Sequence, residues 1–496
     1  MNDINVALLF LPTQTNEASA EAPAVDSQGG VFPPLQLAYL GAVLEKAGHA
    51  AKIIDVNALN LGMGDAVQQL KKFNPRIIGI SSSVVMWRET IKWARVIKRH
   101  LKADIVVGGT IMSHYPHEVL SFREIDYGVV GHDQQTLLGL IGAIISDGSL
   151  DRIEGLAFRS GSRVTVNPFS ERRKFSTKDL NKLPLPARHL LPNDRYFEFY
   201  TKKRNFTIML ASTGCRYNCK FCASRLDPLV YRPVEDVVNE MRVCYAQHGV
   251  REIDFKDNTF TMDRKRTQRL CAHMAKKGLN RLIRWSCMTR ADLVNEPLLK
   301  QMKQAGCVHI KYGIESGSQE ILDRLGKGVT LDKIRESVYF TKKLGMEAYG
   351  FFMIGVPGET RETAQETIRF AHSLGLGRRS LVCRGRHDAY PPEVSGYYPE
   401  LKHELGYDMW RRYILDENYK LPRRNLHTEL SEDEVNMLTL KAYRSFYFRP
   451  GHVLSSLIRH RDASIIRKGA VAALSMLTNG RSLTLTNSLR KKRKFI

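Results

Sequence analysis

The sequence predicts an α/β protein made of two consecutive strand–helix series and closed by a mostly helical region. Three observations predict it. Short apolar runs alternate with helical stretches of about 10–15 residues over positions 1–147 and again over 204–384. A proline-punctuated stretch, 148–203, separates the two series. From 385 to 496 the alternation stops and only helical patterns remain. Such alternation makes parallel sheets covered by helices on their faces, and 496 residues suffice for more than one core.

In the first series, residues 4–10 read as a strand and 33–46 as an amphipathic helix with proline at its start. Strand 51–56, helix 65–73, strand 76–81, helix 88–101, strands 104–107 and 127–130 and helix 134–145 follow. Ligands of open parallel sheets sit beyond the carboxyl ends of the strands. The loops there are Ser81-Ser82-Ser83, Gly108-Gly109-Thr110 and Gly131-His132-Asp133, whose small residues let a ligand approach the backbone. The connector carries a hairpin pattern at 158–166 and Leu183-Pro184-Leu185-Pro186, as expected of a linker laid over a surface. The second series has strands at 207–211, 252–255, 282–287, 308–312, 347–354 and 380–383. Helices at 234–247, 264–277, 296–305, 331–344 and 362–374 lie between them. Six strands with right-handed crossovers predict a partial (β/α)6 barrel, too few for the closed eight-stranded form. Positions 431–446 and 451–461 read as helices, and 484–496 as a basic, mobile end.

The second series opens on Gly214-Cys215-Arg216-Tyr217-Asn218-Cys219-Lys220-Phe221-Cys222. Three thiolates spaced C-x3-C-x2-C can hold three irons of a [4Fe–4S] cluster and leave the fourth open to an exchangeable ligand. A structural zinc wants four closed ligands, usually with a second cysteine pair downstream. No second pair exists here, so the spacing favours a cluster over zinc. Cys244, Cys271, Cys287, Cys307 and Cys383 stand singly and read as small buried apolar residues. Nothing suggests a disulfide framework, and the N-terminus opens on an apolar strand rather than a signal-peptide pattern. No apolar run reaches the ~18 residues that span a bilayer. The expectation is a cytoplasmic, oxygen-sensitive protein.

The net charge is +24, and half of it lies in 441–496, where thirteen Lys and Arg face one acid, Asp462. This surplus favours anionic partners: a phosphorylated substrate, nucleic acid or an anionic membrane surface. The tail lacks the regular aromatic interleaving of nucleic-acid binders, which disfavours the second. Positions 454–489 mix Leu, Ile and Val with basic residues, as interfacial helices do, so peripheral membrane contact and a lipid-like substrate stay open.

Around the cysteine loop stand Phe32-Pro33-Pro34-Leu35 with Leu37 and Gly41, Val106-Val107-Gly108-Gly109, and Phe255-Lys256-Asp257-Asn258-Thr259-Phe260. Gly313-Ile314-Glu315-Ser316-Gly317 and Gly355-Val356-Pro357-Gly358-Glu359-Thr360 follow. In this order the motifs resemble the radical S-adenosylmethionine (SAM) enzymes, and within them the subfamily with an N-terminal, Rossmann-like cobalamin-binding domain. The resemblance implies that Cys215, Cys219 and Cys222 ligate iron while the open iron takes the amino and carboxylate groups of SAM. It implies SAM contacts from Phe221, Asp257, Arg290, Glu315, Gly355 and Pro357: Phe221 and the glycine turn near the adenine, Arg290 on the carboxylate, Glu315 on the ribose. The alternatives are a rim ion pair for Arg290 and Glu315, and a plain strand-to-helix turn for the glycines. For cobalamin it implies Leu37, Ser82, Ser83, Gly108, Gly109, Gly131 and Thr136.

Three departures qualify the resemblance. The histidine signature Asp-x-His-x-x-Gly is absent, which fits cobalamin held without a protein ligand on its lower face. Relatives often show Gly-Glu-Gly-Glu-x-Thr where this chain reads Gly131-His132-Asp133-Gln134-Gln135-Thr136, so the alternative is a domain that keeps only the fold. Ala389-Tyr390-Pro391-Pro392-Glu393 replaces a Pro-Tyr-Pro-Gly-Thr-like turn near the substrate pocket, with Arg378, Arg379, Arg384 and Arg386 beside it. The expected reaction is methyl transfer through methylcobalamin to an unactivated carbon of a small, anionic or lipid-like molecule. A flavodoxin or ferredoxin would supply electrons, and radical cyclisation on a tetrapyrrole- or lipid-type substrate is the alternative. As a different class, the chain could be a non-catalytic nucleic-acid-binding module.

Overall fold

The computed structural model describes residues 3–12, 30–131, 134–169, 183–198, 201, 205–222, 224, 228–376, 397–421 and 428–447, and the backbone of 381–384. The predicted helix at 451–461, the basic end and the turn at 389–393 lie outside the described residues. Among the described residues no helix is long and apolar enough to cross a membrane.

The first series forms β1 (Asn5–Phe10), β2 (Ala50–Asp55), β3 (Ile77–Ser81), β4 (Asp104–Gly108) and β5 (Tyr127–Val129), all parallel and ordered β2-β1-β3-β4-β5. Helices α1 (Leu35–Lys46), α2 (Met63–Phe73), α3 (Trp87–His100) and α4 (Gln134–Ser146) cover it. Along β1, Ala7 and Leu9 enter one buried cluster with Trp87 and Ile91 of α3. Val6 and Leu8 enter another with Leu37 of α1 and Leu140 of α4. A strand sandwiched between two helical layers must be apolar at every position, which explains the unbroken runs in the sequence. The strand order reverses between β1 and β3, and such a switch point opens a crevice at the carboxyl ends.

The hairpin assigned to the connector instead extends this sheet. Strands β6 (Leu156–Ser160) and β7 (Arg163–Val166) pair antiparallel, and β6 pairs with β5. Leu156 and Ala157 are fully buried, so they need the sheet edge that a surface linker would not supply. The rest of the connector is not merely superficial either. Arg188 is fully buried and donates to Glu240, Thr207 and the Ile208 carbonyl.

The second series forms one parallel sheet in sequential order: β8 (Phe206–Met209), β9 (Glu252–Phe255), β10 (Arg284–Thr289), β11 (Cys307–Glu315), β12 (Glu347–Ile354) and β13 (Leu381–Arg384). Helices α5 (Val234–His248), α6 (Arg264–Lys276), α7 (Glu296–Gln304), α8 (Leu331–Lys343) and α9 (Arg361–Ser373) pack outside it. This is the partial barrel. Strand β10 begins two residues later than expected, because a helical turn at Leu279–Leu282 follows the left-handed Gly278.

The C-terminal region divides between the two sheets. Helices α10 (Tyr398–Leu405) and α11 (Met409–Leu415) dock on the first, with Tyr398, Leu401, Trp410 and Tyr413 in its core. Arg88 of α3 stacks 3.9 Å over Tyr413, and Arg95 pairs with Glu417 at 2.6 Å. Helix α12 (Glu432–Tyr447) returns to the barrel through Val435, Leu438 and Tyr443.

Candidate active site at the mouth of the barrel

The cysteine loop leaves β8 at the carboxyl end of the barrel sheet. Asp257, just past β9, fixes its start: one carboxylate oxygen accepts from the Ala211 N–H at 2.8 Å and the other from Ser212 Oγ at 2.6 Å. Asp257 is fully buried, and burial pushes its carboxyl up to about 6, with Ser212 and Ala211 pulling it back. Fully buried and bonded through both oxygens, Asp257 positions the start of the loop.

Further along, the Cys222 N–H donates to the Cys219 carbonyl, and the Lys220 N–H donates to the Leu325 carbonyl. Cys219 is buried, while Cys215 and Cys222 are partly exposed. Burial raises the Cys219 thiol, and the Lys327 and Arg290 cations pull it back toward the thiolate that iron binds. Cys215 Sγ lies 3.8 Å from Thr259 Oγ1.

Arg290 follows β10 with its side chain 5% exposed. It forks onto Asp292 at 2.9 and 3.0 Å, donates to the Lys327 carbonyl at 2.5 Å and to Cys219 Sγ at 3.7 Å, and stacks 3.7 Å over Tyr217. It thus locks the cysteine loop to the next turn of the barrel. Glu315 ends β11 and pairs with Lys327 at 2.8 Å. Both residues therefore sit in ion pairs, the structural alternative, and both pairs border Cys219.

Glu315 also carries backbone strain. Five non-glycine residues among those described have positive φ; four are Asn or Asp, and Glu315 at +72° is the fifth. The register slips between Gly313 and Glu315, which turns the carboxylate back over Gly313. A Cβ there would lie 2.6 Å from Glu315 Oε1 and 3.1 Å from Lys327 Nζ, so any side chain at 313 would push the pair aside. Strain of this kind collects at functional sites.

Lys327 was missed by sequence reasoning. The available signal was its flanking by Gly326 and Gly328, both left-handed, which let the turn lie flat on the cysteine loop. Phe221 joins Ile321, Leu325, Met353 and Val356 in a small apolar cluster, which brings it to the turn that carries Gly355 and Pro357. The Gly355 N–H donates to the Glu359 carboxylate, and a Cβ on Gly355 would lie 2.9 Å from Val435 of α12. The Gly355 N–H is thus taken, and Pro357 and Gly358 are the partly exposed members of the turn.

On the N-terminal sheet, the ends of β3 and β4 are knitted together. The Ser82 N–H donates to the Gly108 carbonyl, and Gly109, at φ +95°, lies so close that a Cβ would fall 2.4 Å from the Ser82 carbonyl oxygen. Around Gly108 the space is open: a Cβ would meet nothing within 4 Å. Ser83 is partly exposed, whereas Ser82 Oγ is spent on Thr90 at 2.8 Å. Leu37 lies in the core, Thr136 Oγ1 donates to the Glu154 carbonyl, and Gly131 faces the Phe169 ring. Leu37 and Thr136 are therefore packing and turn residues, and the open approach is at Ser83 and Gly108.

Residues 209–371 match the radical SAM superfamily, and residues 22–141 match the B12 binding domain. An uncharacterized methyltransferase of Pyrococcus horikoshii is 31% identical over 475 residues, 94% of this chain and 97% of that protein. The chain belongs to the cobalamin-binding branch of the radical SAM superfamily. This radical SAM protein is also similar to the cytidylyl-2-hydroxyethylphosphonate methyltransferase of Streptomyces wedmorensis, 26% identical over 70% of this chain and 74% of that protein. The anaerobic magnesium-protoporphyrin IX monomethyl ester cyclase of Cereibacter sphaeroides is 28% identical over 85% of this chain and 68% of that protein. Among solved structures, the cobalamin-dependent SAM radical enzyme OxsB shares the fold at a TM-score of 0.65 and 16% identity, over 96% of this chain and 72% of that chain.

The residues present fit the cofactors of this branch. Three cysteines supply the donor set of a [4Fe–4S] cluster, with two cations beside the buried one. The strained Glu315, the Gly313 cradle and the Phe221 cluster suit SAM. The open space at Gly108, at the carboxyl end of a parallel sheet, suits cobalamin.

Proposed function

We propose that this radical SAM protein methylates an unactivated carbon of a small-molecule substrate. The observation that carries the reading is its likeness, over 94% of its length and 97% of that protein's, to an uncharacterized methyltransferase. When bound, the cluster and SAM supply a 5′-deoxyadenosyl radical, and methylcobalamin supplies the methyl group. Cys215, Cys219 and Cys222 hold the cluster; Arg290, through Cys219, Asp292 and the Lys327 carbonyl, keeps their loop rigid. Glu315 and Lys327 present a carboxylate and an ammonium at fixed spacing, suited to the ribose hydroxyls and the carboxylate of SAM. Phe221 and Pro357 form the apolar side of that pocket, and Ser83, Gly108 and Gly109 cradle cobalamin. Flavodoxin or ferredoxin is the fitting class of electron donor. One relative, by its name, acts on a phosphonate, which agrees with an anionic substrate.

The test uses SAM carrying a labelled methyl group with reductant and reconstituted protein. Label should appear on cobalamin. If 5′-deoxyadenosine accumulates while no label reaches cobalamin or any product, methyl transfer gives way to a cyclase-type rearrangement, the reaction class that the Cereibacter relative's name denotes.

A further inference from the structure

We propose that Lys256, backed by Asp254, Lys311 and Glu198, forms the polar end of the substrate pocket and binds a carboxylate or phosphate group of the substrate. The inference rests on the methyltransferase reading and deepens it by naming a substrate class.

The strands place the cluster. Ile253 and Phe255 of β9, Trp285 and Cys287 of β10, and Ile310 and Tyr312 of β11 all enter the core between sheet and outer helices. Alternation along a strand then turns Asp254, Ser286 and Lys311 into the bore. There Asp254 Oδ2 accepts from Lys311 Nζ at 2.8 Å and Lys256 Nζ at 2.7 Å, and Ser286 Oγ donates to Oδ1 at 2.6 Å. Glu198 arrives from the connector and stands 3.3 Å from Lys311 and 3.6 Å from Lys256. Its position is set by the N-terminal domain: Phe197–Glu198 pairs with Gly30–Val31, and a Cβ at Gly30 would fall 2.6 Å from the Phe197 carbonyl oxygen. Lys256 follows β9 at the barrel mouth, and its ammonium lies 4.3 Å from the centroid of Phe32, a residue of that same domain.

Two buried charges, Asp254 and Lys311, clustered with the less buried Glu198 and Lys256, are not explained by stability, since well-packed apolar side chains of similar volume hold a core as well or better. Their exposure is graded. The side chains of Asp254, Lys311 and Glu198 are 0%, 5% and 10% exposed, and that of Lys256 is 35%. A ligand entering from the mouth between the two domains therefore meets an ammonium first, with the Phe32 ring as an apolar wall beside it. Asp254 takes one of its three N–H donors at short range, which leaves a donor for an oxyanion. Two ammoniums and two carboxylates balance in the free protein, so an arriving anion adds a third negative charge. Asp254 is the group to answer it, because burial and then the Glu198 charge already push its carboxyl upward against the pull of Lys256. Glu198, Lys256, Lys311 and Ser286 face it. Anion binding should thus take up a proton and weaken as pH rises.

The experiment titrates acetate and, separately, inorganic phosphate into holoenzyme by calorimetry. With the cluster, cobalamin and SAM in place, their own anion positions are filled. Saturable binding of acetate or of phosphate is expected, with proton uptake seen as a buffer-dependent enthalpy. K256Q should weaken it about tenfold or more, the worth of one charge-assisted hydrogen bond, and K256R should restore most of it. Acetate alone identifies a carboxylate site, and phosphate alone a phosphate site. No saturable binding of either anion, or equal binding by K256Q, overturns the proposal. Methyl loading of cobalamin needs no substrate, so the two readings fail separately. A protein that loads cobalamin yet binds neither anion loses this proposal alone. One that binds an anion through Lys256 but never loads cobalamin loses the methyltransferase reading alone.

Discussion

Removing the Glu240 carboxylate should unlock the connector from the barrel. The side chain of Glu240 is 1% exposed; one oxygen accepts from Arg188 at 2.7 Å and the other lies 2.7 Å from the Arg232 guanidinium. Burial alone would raise its carboxyl, but Arg188 and Arg232 outweigh burial and hold it below the ordinary range, so it is charged at neutral pH. Glu240→Ala leaves two guanidiniums, 2% and 9% exposed, without their counter-charge. Breaking a buried pair by removing one partner costs about 3–5 kcal/mol. Part of this is offset because Arg188 keeps Thr207 and the Ile208 carbonyl, and Arg232 keeps the Leu210 carbonyl. The expected loss is therefore about 3 kcal/mol, the lower end of that range. Urea unfolding followed by tryptophan fluorescence measures it, with R188M and the double variant completing a cycle. The double variant should recover part of the loss, because Arg232 alone is then left without its counter-charge. A cost for E240A under about 1 kcal/mol, within the span of an ordinary exposed ion pair, would refute the reasoning, as would additivity of the two substitutions.

Other expectations follow from the same geometry. Cys219→Ala should abolish both the iron–sulfur absorbance and reductive SAM cleavage; retained 5′-deoxyadenosine formation would exclude the cluster assignment. Gly109→Val would drive a Cβ to 2.4 Å from the Ser82 carbonyl oxygen at a left-handed φ, so cobalamin affinity should fall at least about tenfold in an absorbance titration. Lys327→Met removes the partner of Glu315 and a cation beside Cys219, and should raise the KM for SAM in the uncoupled cleavage assay. Burial pushes the Glu359 carboxyl from 4.5 up to about 7, with the Gly355 and Val356 N–H groups pulling it back. The folded state then holds a proton that the unfolded chain has released. This group's contribution to stability is present at low pH and falls as pH rises from about 4.5 to about 7, by about 3 kcal/mol. Glu359→Gln should remove that slope, so its stability relative to wild type, from urea melts at pH 5 and pH 8, should be higher at pH 8.

The two sheets and the cysteine loop were legible because each leaves a local mark. Apolar runs with helical spacers mark strands buried on both faces, and the C-x3-C-x2-C spacing marks a ligand set on one short loop. Lys327 left only the Gly326 and Gly328 flanks, since what makes it part of the site is a turn folding back on residues more than a hundred positions earlier. Asp257 was read as a ligand contact because its motif resembles that of the radical SAM enzymes. Only the fold shows both of its oxygens taken by Ala211 and Ser212. The connector was read from its prolines as superficial, and nothing local announces that Arg188 ends in a buried ion network.

By itself, the sequence determined the chemistry of this protein, two parallel α/β units and a three-cysteine loop at the mouth of the second, because periodicity and motif spacing are properties of neighbouring residues. Tertiary structure decided which charges meet. It seated Arg188 on Glu240, turned Glu315 into a strained conformation against Lys327, and closed the barrel bore with Glu198, Asp254, Lys311 and Lys256. Those partners come from segments far apart in the chain, and a buried charge finds its counter-charge only when the fold brings the segments together.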